Sequence, residues 1–383
     1  MTYCQGLYTI KREAGGASAP IFRRHPENAF MSNKATGSPL ASRSPLNVVL
    51  AGYGAVGRLM HAPLIRHVDG LNLYAIVSSR PAAVYADYPG MCVPESLDRA
   101  LADPQVDMVV IATPNDSHAP LGLQVLTAGR HLVIDKPATL DAGQARELAT
   151  EAHARGLMFS VFHNRRWDAD FLTLSRLVAK GTPGPLSRCH LYYDRFRPEV
   201  QDRWRERPGP GSGSWFDLGA HLIDQALLLF GPPEAVWVDL AALREGGEAV
   251  DHFKALLRYP SLRVTLESHA LAAENGLRYA LDGRRASYRK YGLDTQEQNL
   301  RDGGVPGQSG WGHDPRPGTL TYPDGRTETV ENERGDYRCF YQNVEAHLVR
   351  GEALAVTPSQ VIEVMRVIDA GLESSRRRCE VAL

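Results

Sequence analysis

The chain has 383 residues, 43% of them hydrophobic and 23% charged, with a formal net charge of -1. That is enough chain for one or two sizeable cores, and the charge gives no reason to expect nucleic acid or an anionic membrane as partner. No apolar run approaches the ~20 residues of a membrane-spanning helix, and the N-terminus lacks a basic-then-apolar secretory signal.

Five cysteines are scattered at Cys4, Cys92, Cys189, Cys339 and Cys379, with no C-x-x-C. This argues against a disulfide framework or a structural zinc site, and makes the reducing cytoplasm the default compartment. Residues 1–44 are rich in Gly, Ala, Ser, Pro and Arg and show no period, so a disordered extension is expected there, with Met31 an alternative start. From Pro45 the pattern changes. Short apolar strands are predicted at Asn47–Ala51, Leu71–Ser78, Asp107–Thr113, His131–Asp135 and Met158–Asn164, with a weak one near Met91–Val93. Helices are predicted between them at Ala55–His67 (interrupted by Pro63), Ala119–Ala128 and Leu140–Arg155. Strands alternating with helices over short loops indicate an α/β Rossmann fold with a doubly wound parallel sheet.

After Asn164 the rhythm breaks. A helix is expected at Asp170–Lys180, then strand-like runs at Leu186–Phe196, Ala235–Arg244, His252–Tyr259, Leu262–Ala270 and Arg278–Tyr291. A helix at Trp215–Phe230 interrupts them, residues 300–318 read as a loop, and helices at Tyr337–Arg350 and Pro358–Ser374 close the chain. This is an α+β domain with a large, mostly antiparallel sheet. The expected division is an extension over 1–44, a dinucleotide-binding domain over 45–163, and a substrate-binding and oligomerisation domain over 164–383.

Gly52-Tyr53-Gly54-Ala55-Val56-Gly57 matches G-x-G-x-x-G after a strand and before a helix, the context a dinucleotide pyrophosphate requires. The alternative is a glycine-rich turn with no ligand. An Asp or Glu for the adenosine ribose belongs at the end of the second strand, where Ser78-Ser79-Arg80 stands instead. An arginine there suits a 2′-phosphate, which points to NADP rather than NAD. Thr113-Pro114-Asn115 and Asp135-Lys136-Pro137 end strands on the side where open α/β sheets bind ligands, so Thr113, Pro114, Asn115, Asp135 and Lys136 are expected at the cofactor, with Lys136 also placed to hold a substrate hydroxyl; the alternative is a surface loop lysine. Asp217 and His221 lie four apart on one helix, a spacing that puts a carboxylate beside an imidazole suited to general base work, with Asp224 on the same face. The alternative is a capping and helix-pairing role. No clustered His or Cys pattern supports a metal site.

These residues resemble the glucose–fructose oxidoreductase, inositol dehydrogenase and rhizopine-catabolism family (Gfo/Idh/MocA) from about Leu46 onward. The resemblance rests on Gly52–Gly57, Lys136-Pro137 and the Asp217-to-His221 helix, in order. It extends through His61-Ala62-Pro63, the stretch Phe162–Asp168, Asp194–Pro198 and Asp202–Arg205, which look like the branch containing bacterial scyllo-inositol dehydrogenases. Asp135, where the family usually has Glu, is a departure. The resemblance implies that Lys136 and His221 flank the substrate and that Asp217 supports His221. It also implies that Asn164, Arg165, Trp167, Arg195 and Trp204 line a polyol pocket, and that the C-terminal sheet joins copies as a homodimer or homotetramer. The expected activity is NAD(P)-dependent hydride transfer to or from a cyclic polyol or sugar. The rivals are redox-assisted glycoside cleavage with retained NAD, and a dinucleotide-sensing regulator without catalysis.

Overall fold

A computed structural model describes residues 45–274 and 276–383; the extension expected over 1–44 lies outside the described residues. The first sheet holds β1 (Leu46–Ala51), β2 (Leu71–Val77), β3 (Met108–Ile111), β4 (His131–Ile134) and β5 (Phe159–Val161), ordered β2-β1-β3-β4-β5 and parallel throughout. Leu46, Val48, Val49 and Leu50 are fully enclosed, as expected of a strand covered by helices on both faces. The strand order reverses between β1 and β3, which opens a crevice at their carboxyl ends.

The helix expected over 55–67 is in two parts. A wide π-turn, Gly57–His61, leads into α1 (Ala62–Arg66), with Pro63 in its first turn, where a missing N–H costs no ladder bond. Two short helices that the apolar pattern did not reveal, α2 (Pro81–Asp87) and α3 (Leu97–Leu101), follow β2. The weak strand near 91–93 is a single parallel bridge between Ala75 and Cys92. α4 (His118–Thr127) and α5 (Ala142–Ala154) complete the layer. Asp141 caps α5 by accepting from Gln144 N–H at 2.9 Å.

Beyond α6 (Ala169–Ala179) a nine-stranded sheet forms from β6 (Leu186–Tyr192), β7 (Ala235–Ala241), β8 (His252–Arg258), β9 (Arg263–His269), β10 (Leu277–Gly283), β11 (Ser287–Tyr291), β12 (Gly318–Thr321), β13 (Thr327–Val330) and β14 (Val381–Ala382). All neighbours are antiparallel except β6 and β9. The single strand expected over 278–291 is a hairpin, with Asp282 opposite Ser287. The run 300–318 begins in α8 (Gln296–Arg301) and ends on β12. β8 alternates cleanly: Phe253, Ala255 and Leu257 are enclosed, while Lys254 and Leu256 face outward beside the exposed Trp237.

The inner face of this sheet packs on α7 (Ala220–Phe230) and α10 (Pro358–Arg377), and α9 (Arg338–Arg350) reaches α1. α10 also touches α5 and β5, so one helix lies against both sheets. A capping box at Thr357 and Gln360 starts it. Trp215, enclosed just ahead of α7, donates from Nε1 to Ile368 O at 3.2 Å. A Cβ on Gly371 would lie 2.3 Å from the Trp215 ring, so only glycine admits that contact. Among the described residues no helix is long and apolar enough to cross a membrane.

Candidate active site

The crevice at the carboxyl ends of β1 and β3 holds a cavity of about 500 Å³, floored by Gly52–Val56 and walled by Ser78, Ser79, Arg80, Thr113 and Pro114. The three glycines of the motif do different work. Gly52 has φ +106°, and a Cβ there would sit 2.5 Å from Ala112 O. A Cβ on Gly57 would meet Gly52 O at 2.1 Å, so this glycine lets the helical turn close on the loop. Nothing lies within 4 Å of a Cβ on Gly54, which leaves its backbone open to a ligand. The loop is braced from behind: Tyr53 Oη donates to Asp87 Oδ2 at 2.7 Å, and Arg58 pairs with the same carboxylate at 2.6 Å. Arg80 lines the cavity, is exposed, donates to Tyr53 O at 3.2 Å and has no ion pair among the described residues. The open Gly54 and the basic rim fit a dinucleotide.

Of the residues expected at the cofactor, Asn115, Asp135 and Lys136 do not line this cavity. Asn115 is buried and donates to Gly211 O at 2.8 Å, tying the β3 loop to the second half of the chain. Asp135 is buried with its carboxylate 3.4 Å from His61 Nε2, while His61 Nδ1 meets Tyr341 Oη at 2.6 Å. Both act as struts beneath the cleft, and neither lines the cavity.

Lys136 follows β4, with a cis bond to Pro137. Its ammonium donates to both Asp217 O and Asp217 Oδ1, each at 2.6 Å. The expected partnership of Asp217 with His221 is therefore corrected: the carboxylate is bound across the cleft by lysine, with Arg205 Nε 3.6 Å away. The reason is local. Residues 215–219 form a π-turn, so the four-residue spacing no longer stacks the two side chains as an α-helix would. Burial alone would raise the Asp217 carboxyl, but Lys136, Arg205 and Arg195 outweigh it and hold the group well below the usual carboxylate range. Asp224 likewise serves another partner, gripping Arg166 through two bonds of 2.9 and 2.5 Å.

His221 is 5% exposed, and neither ring nitrogen has a hydrogen-bond partner among the described residues; Nδ1 is fully enclosed. Burial, followed by the charges of Lys136 and Arg165, pushes its pKa well below the usual histidine value, so the ring is neutral. His163, at the end of β5, adds a second buried imidazole with an unpartnered Nδ1, pushed down by burial to about 4. It was quoted in the sequence only as part of a longer stretch, and nothing but its place at a strand end marks it.

A smaller cavity of about 60 Å³ lies on the other side of Asp217, and Arg205 lines both spaces. Of the residues expected around substrate, Arg195 lines this cavity. Trp204 instead walls the cofactor cavity, with the Arg205 guanidinium 4.6 Å over its ring. Arg165 is buried in ion pairs with Asp168 and Glu297. Trp167 is 3% exposed and packs edge-on against Phe340, and Asn164 is buried; neither lines a cavity. Arg205 and Ser214 were missed as site residues. Arg205 stood within a quoted stretch, and Ser214 immediately before the Trp215 helix. Among the described residues no group of three His, Cys, Asp or Glu is placed to hold a metal ion.

Comparison with known proteins gives a consistent picture. Residues 46–163 match the Gfo/Idh/MocA oxidoreductase family model for the NAD-binding Rossmann fold, and residues 177–383 match the C-terminal alpha/beta domain of the same family. The uncharacterized oxidoreductase YdgJ of Escherichia coli is 46% identical over 341 residues, covering 88% of this chain and 99% of that one. The scyllo-inositol 2-dehydrogenase (NADP(+)) IolW of Bacillus subtilis is 37% identical over 343 residues, covering 88% and 96%. The solved structure of the Bacillus subtilis oxidoreductase yvaA superposes with a TM-score of 0.86 at 37% identity, covering 89% of this chain and 99% of that one.

Proposed function

This chain belongs to the Gfo/Idh/MocA family of oxidoreductases and carries its NAD(P)-binding Rossmann domain, and from that premise we propose that it is an NADP-dependent dehydrogenase acting on a CH–OH group of a cyclic polyol or sugar of the scyllo-inositol kind. The observation that carries the reading is that Lys136, from the first sheet, is bonded to Asp217, which lines the smaller cavity, and that the lysine's charge reaches the buried His221 of the same helical segment. In this reading residues 45–163 form the cofactor domain and 164–383 the substrate and oligomerisation domain, in a cytoplasmic enzyme.

Gly52, Gly54 and the N–H groups that follow would hold the pyrophosphate, and Arg80 the 2′-phosphate. When bound, the nicotinamide supplies the hydride acceptor. His221 is neutral, and with Nδ1 enclosed, Nε2 is left to take the hydroxyl proton. Two of the three Lys136 donors are spent on Asp217, which fixes the ammonium and leaves one N–H for the substrate oxygen. Lys136 and His221 are each less than a tenth exposed, so water is kept from the reacting groups. Support for the polyol class comes from the likeness to IolW. The outward face of the nine-stranded sheet, with Trp237 beside Leu256, is the surface through which copies would join as a dimer or tetramer. Sedimentation of a Trp237→Glu variant checks that.

The test is a screen of polyols and sugars with NADP⁺, following absorbance of the reduced nicotinamide, on wild type and His221→Ala. Turnover of a polyol by wild type, and a loss of roughly 10²–10⁴-fold in the variant, is expected. Turnover of the variant within a few-fold of wild type would make His221 a structural helix residue. Nicotinamide retained through purification, with glycoside cleaved and no net turnover of cofactor, would replace the reading with redox-assisted hydrolysis.

A further inference from the structure

The smaller cavity carries more positive charge than its own carboxylates balance. Arg244 is satisfied by Asp251 at 2.9 Å and Glu206 at 3.0 Å, and Arg203 by the same Glu206. Arg205 and Lys136 share Asp217. Two further arginines lining the space, Arg195 and Arg197, make no ion pair within 4.0 Å among the described residues, although the charges of Glu297 and Asp217 reach Arg195 from farther off.

The backbone explains why these two stand together. Beyond β6 the chain continues extended along the end of β9: Arg195 N–H donates to His269 O at 3.0 Å and Arg197 N–H to Ala270 O at 2.7 Å. Alternate residues of an extended chain share a face. Phe196, between them, points the other way and is 58% exposed. Arg195 is held from beneath by a neutral group, Tyr193, whose ring lies 4.8 Å from its guanidinium and whose hydroxyl accepts from Nη2 at 3.1 Å. Arg197 is half-buried, and its pKa is lowered by that burial and then by Arg195 and Arg203, which places like charges close by. Two further polar atoms of the same cavity, Ser214 Oγ and His269 Nδ1, are enclosed without any hydrogen-bond partner. An arginine stays charged at any working pH, so such a pair calls for an anion rather than for deprotonation.

We propose that Arg195 and Arg197 form an anion subsite, and that the polyol or sugar substrate bears a carboxylate, as an aldonate or uronate does. The proposal rests on the reading above that this cavity holds substrate. The planar carboxylate fits a paired guanidinium fork and the small volume of the space. Ser214 and His269 would take the neighbouring hydroxyls.

The experiment is titration calorimetry of the full chain saturated with NADP⁺, using aldonates, uronates, their neutral parent polyols and sugars, and the matching phosphate esters. Wild type should bind at least one acid about tenfold or more tighter than its neutral parent, since a hydrogen bond to a charged group is worth roughly ten- to a hundredfold. Arg197→Gln and Arg195→Gln, each checked for wild-type circular dichroism and Tm, should bring that preference to within about twofold. If no acid binds more tightly than its neutral parent, or if the variants weaken acid and parent equally, the anion subsite is overturned. If phosphate esters outrank carboxylates, the carboxylate assignment falls. Failure of every compound to reduce NADP⁺ sinks the dehydrogenase reading instead, and the binding preference still decides the subsite.

Discussion

The bond between Lys136 and Asp217 is the contact on which the two halves of the site depend, and its strength can be worked out and measured. At 2.6 Å, and with an effective dielectric of roughly 20, Coulomb's law gives about 6 kcal/mol. Two features reduce that. The Asp217 side chain keeps 29% exposure, and Arg205 Nε at 3.6 Å competes for the same oxygen. A coupling of about 3 kcal/mol is expected, within the roughly 1.5–7 kcal/mol that double-mutant cycles give for close charge pairs. The assay is a double-mutant cycle by urea unfolding of Lys136→Met, Asp217→Asn and the combined variant. A second cycle pairs Asp217→Asn with His221→Ala, where the structure has no hydrogen bond and the expected coupling is under about 0.5 kcal/mol. A larger coupling of Asp217 to His221 than to Lys136 would refute the geometry and restore the partnership expected from the four-residue spacing.

The motif glycines should separate folding from binding: Gly54→Ala should melt like wild type but bind NADP poorly. Gly52→Ala, with φ +106° and backbone 2.5 Å away, should lose about 2 kcal/mol or more of stability, both read by thermal melts and calorimetry. Arg80→Ala should weaken NADP by about ten- to a hundredfold and leave NAD within twofold, measured by fluorescence titration; equal losses would count against the 2′-phosphate role. His131 is pushed down to about 4 by burial and then by His347, and its Nδ1 accepts from Met158 N–H at 3.0 Å. A base whose folded pKa lies below its unfolded value of about 6.5 takes up a proton on unfolding, so its share of stability is present above that value and lost as pH falls towards 4. Between pH 7 and pH 5 wild type should therefore lose about 2 kcal/mol more than His131→Gln, by urea unfolding at the two pH values.

The parallel sheet was legible because its strands are short apolar runs closed by glycine and proline, and Gly52–Gly57 sits where such a sheet binds a dinucleotide. Lys136 and His221 could be singled out because one follows a strand and the other rides an amphipathic helix. What stayed hidden depends on contacts between distant residues. β12, β13 and β14 are four, four and two residues long, and no periodicity shows in so few. The π-turn at Trp215–Gly219 turned Asp217 from His221 to Lys136, and a reading by helical spacing assumes the regular turn. Arg165 and Trp167 carry the residue types of a polyol pocket, but Asp168, Glu297 and Phe340 claim them for the interior.

Helix α10 lies against both sheets and supports Trp215, six residues ahead of His221. It is made after every strand of the first sheet. The first sheet can assemble as soon as its five strands have emerged, but the sides of α5 and β5 that α10 covers stay wet until Pro358–Arg377 has been made. A chain made only to residue 357 would thus have the strands of the first sheet and an uncovered flank on α5 and β5. The bed under Trp215 is laid only with α10, so a chain stalled before residue 358 would hold the strands of the first sheet and no support beneath Trp215.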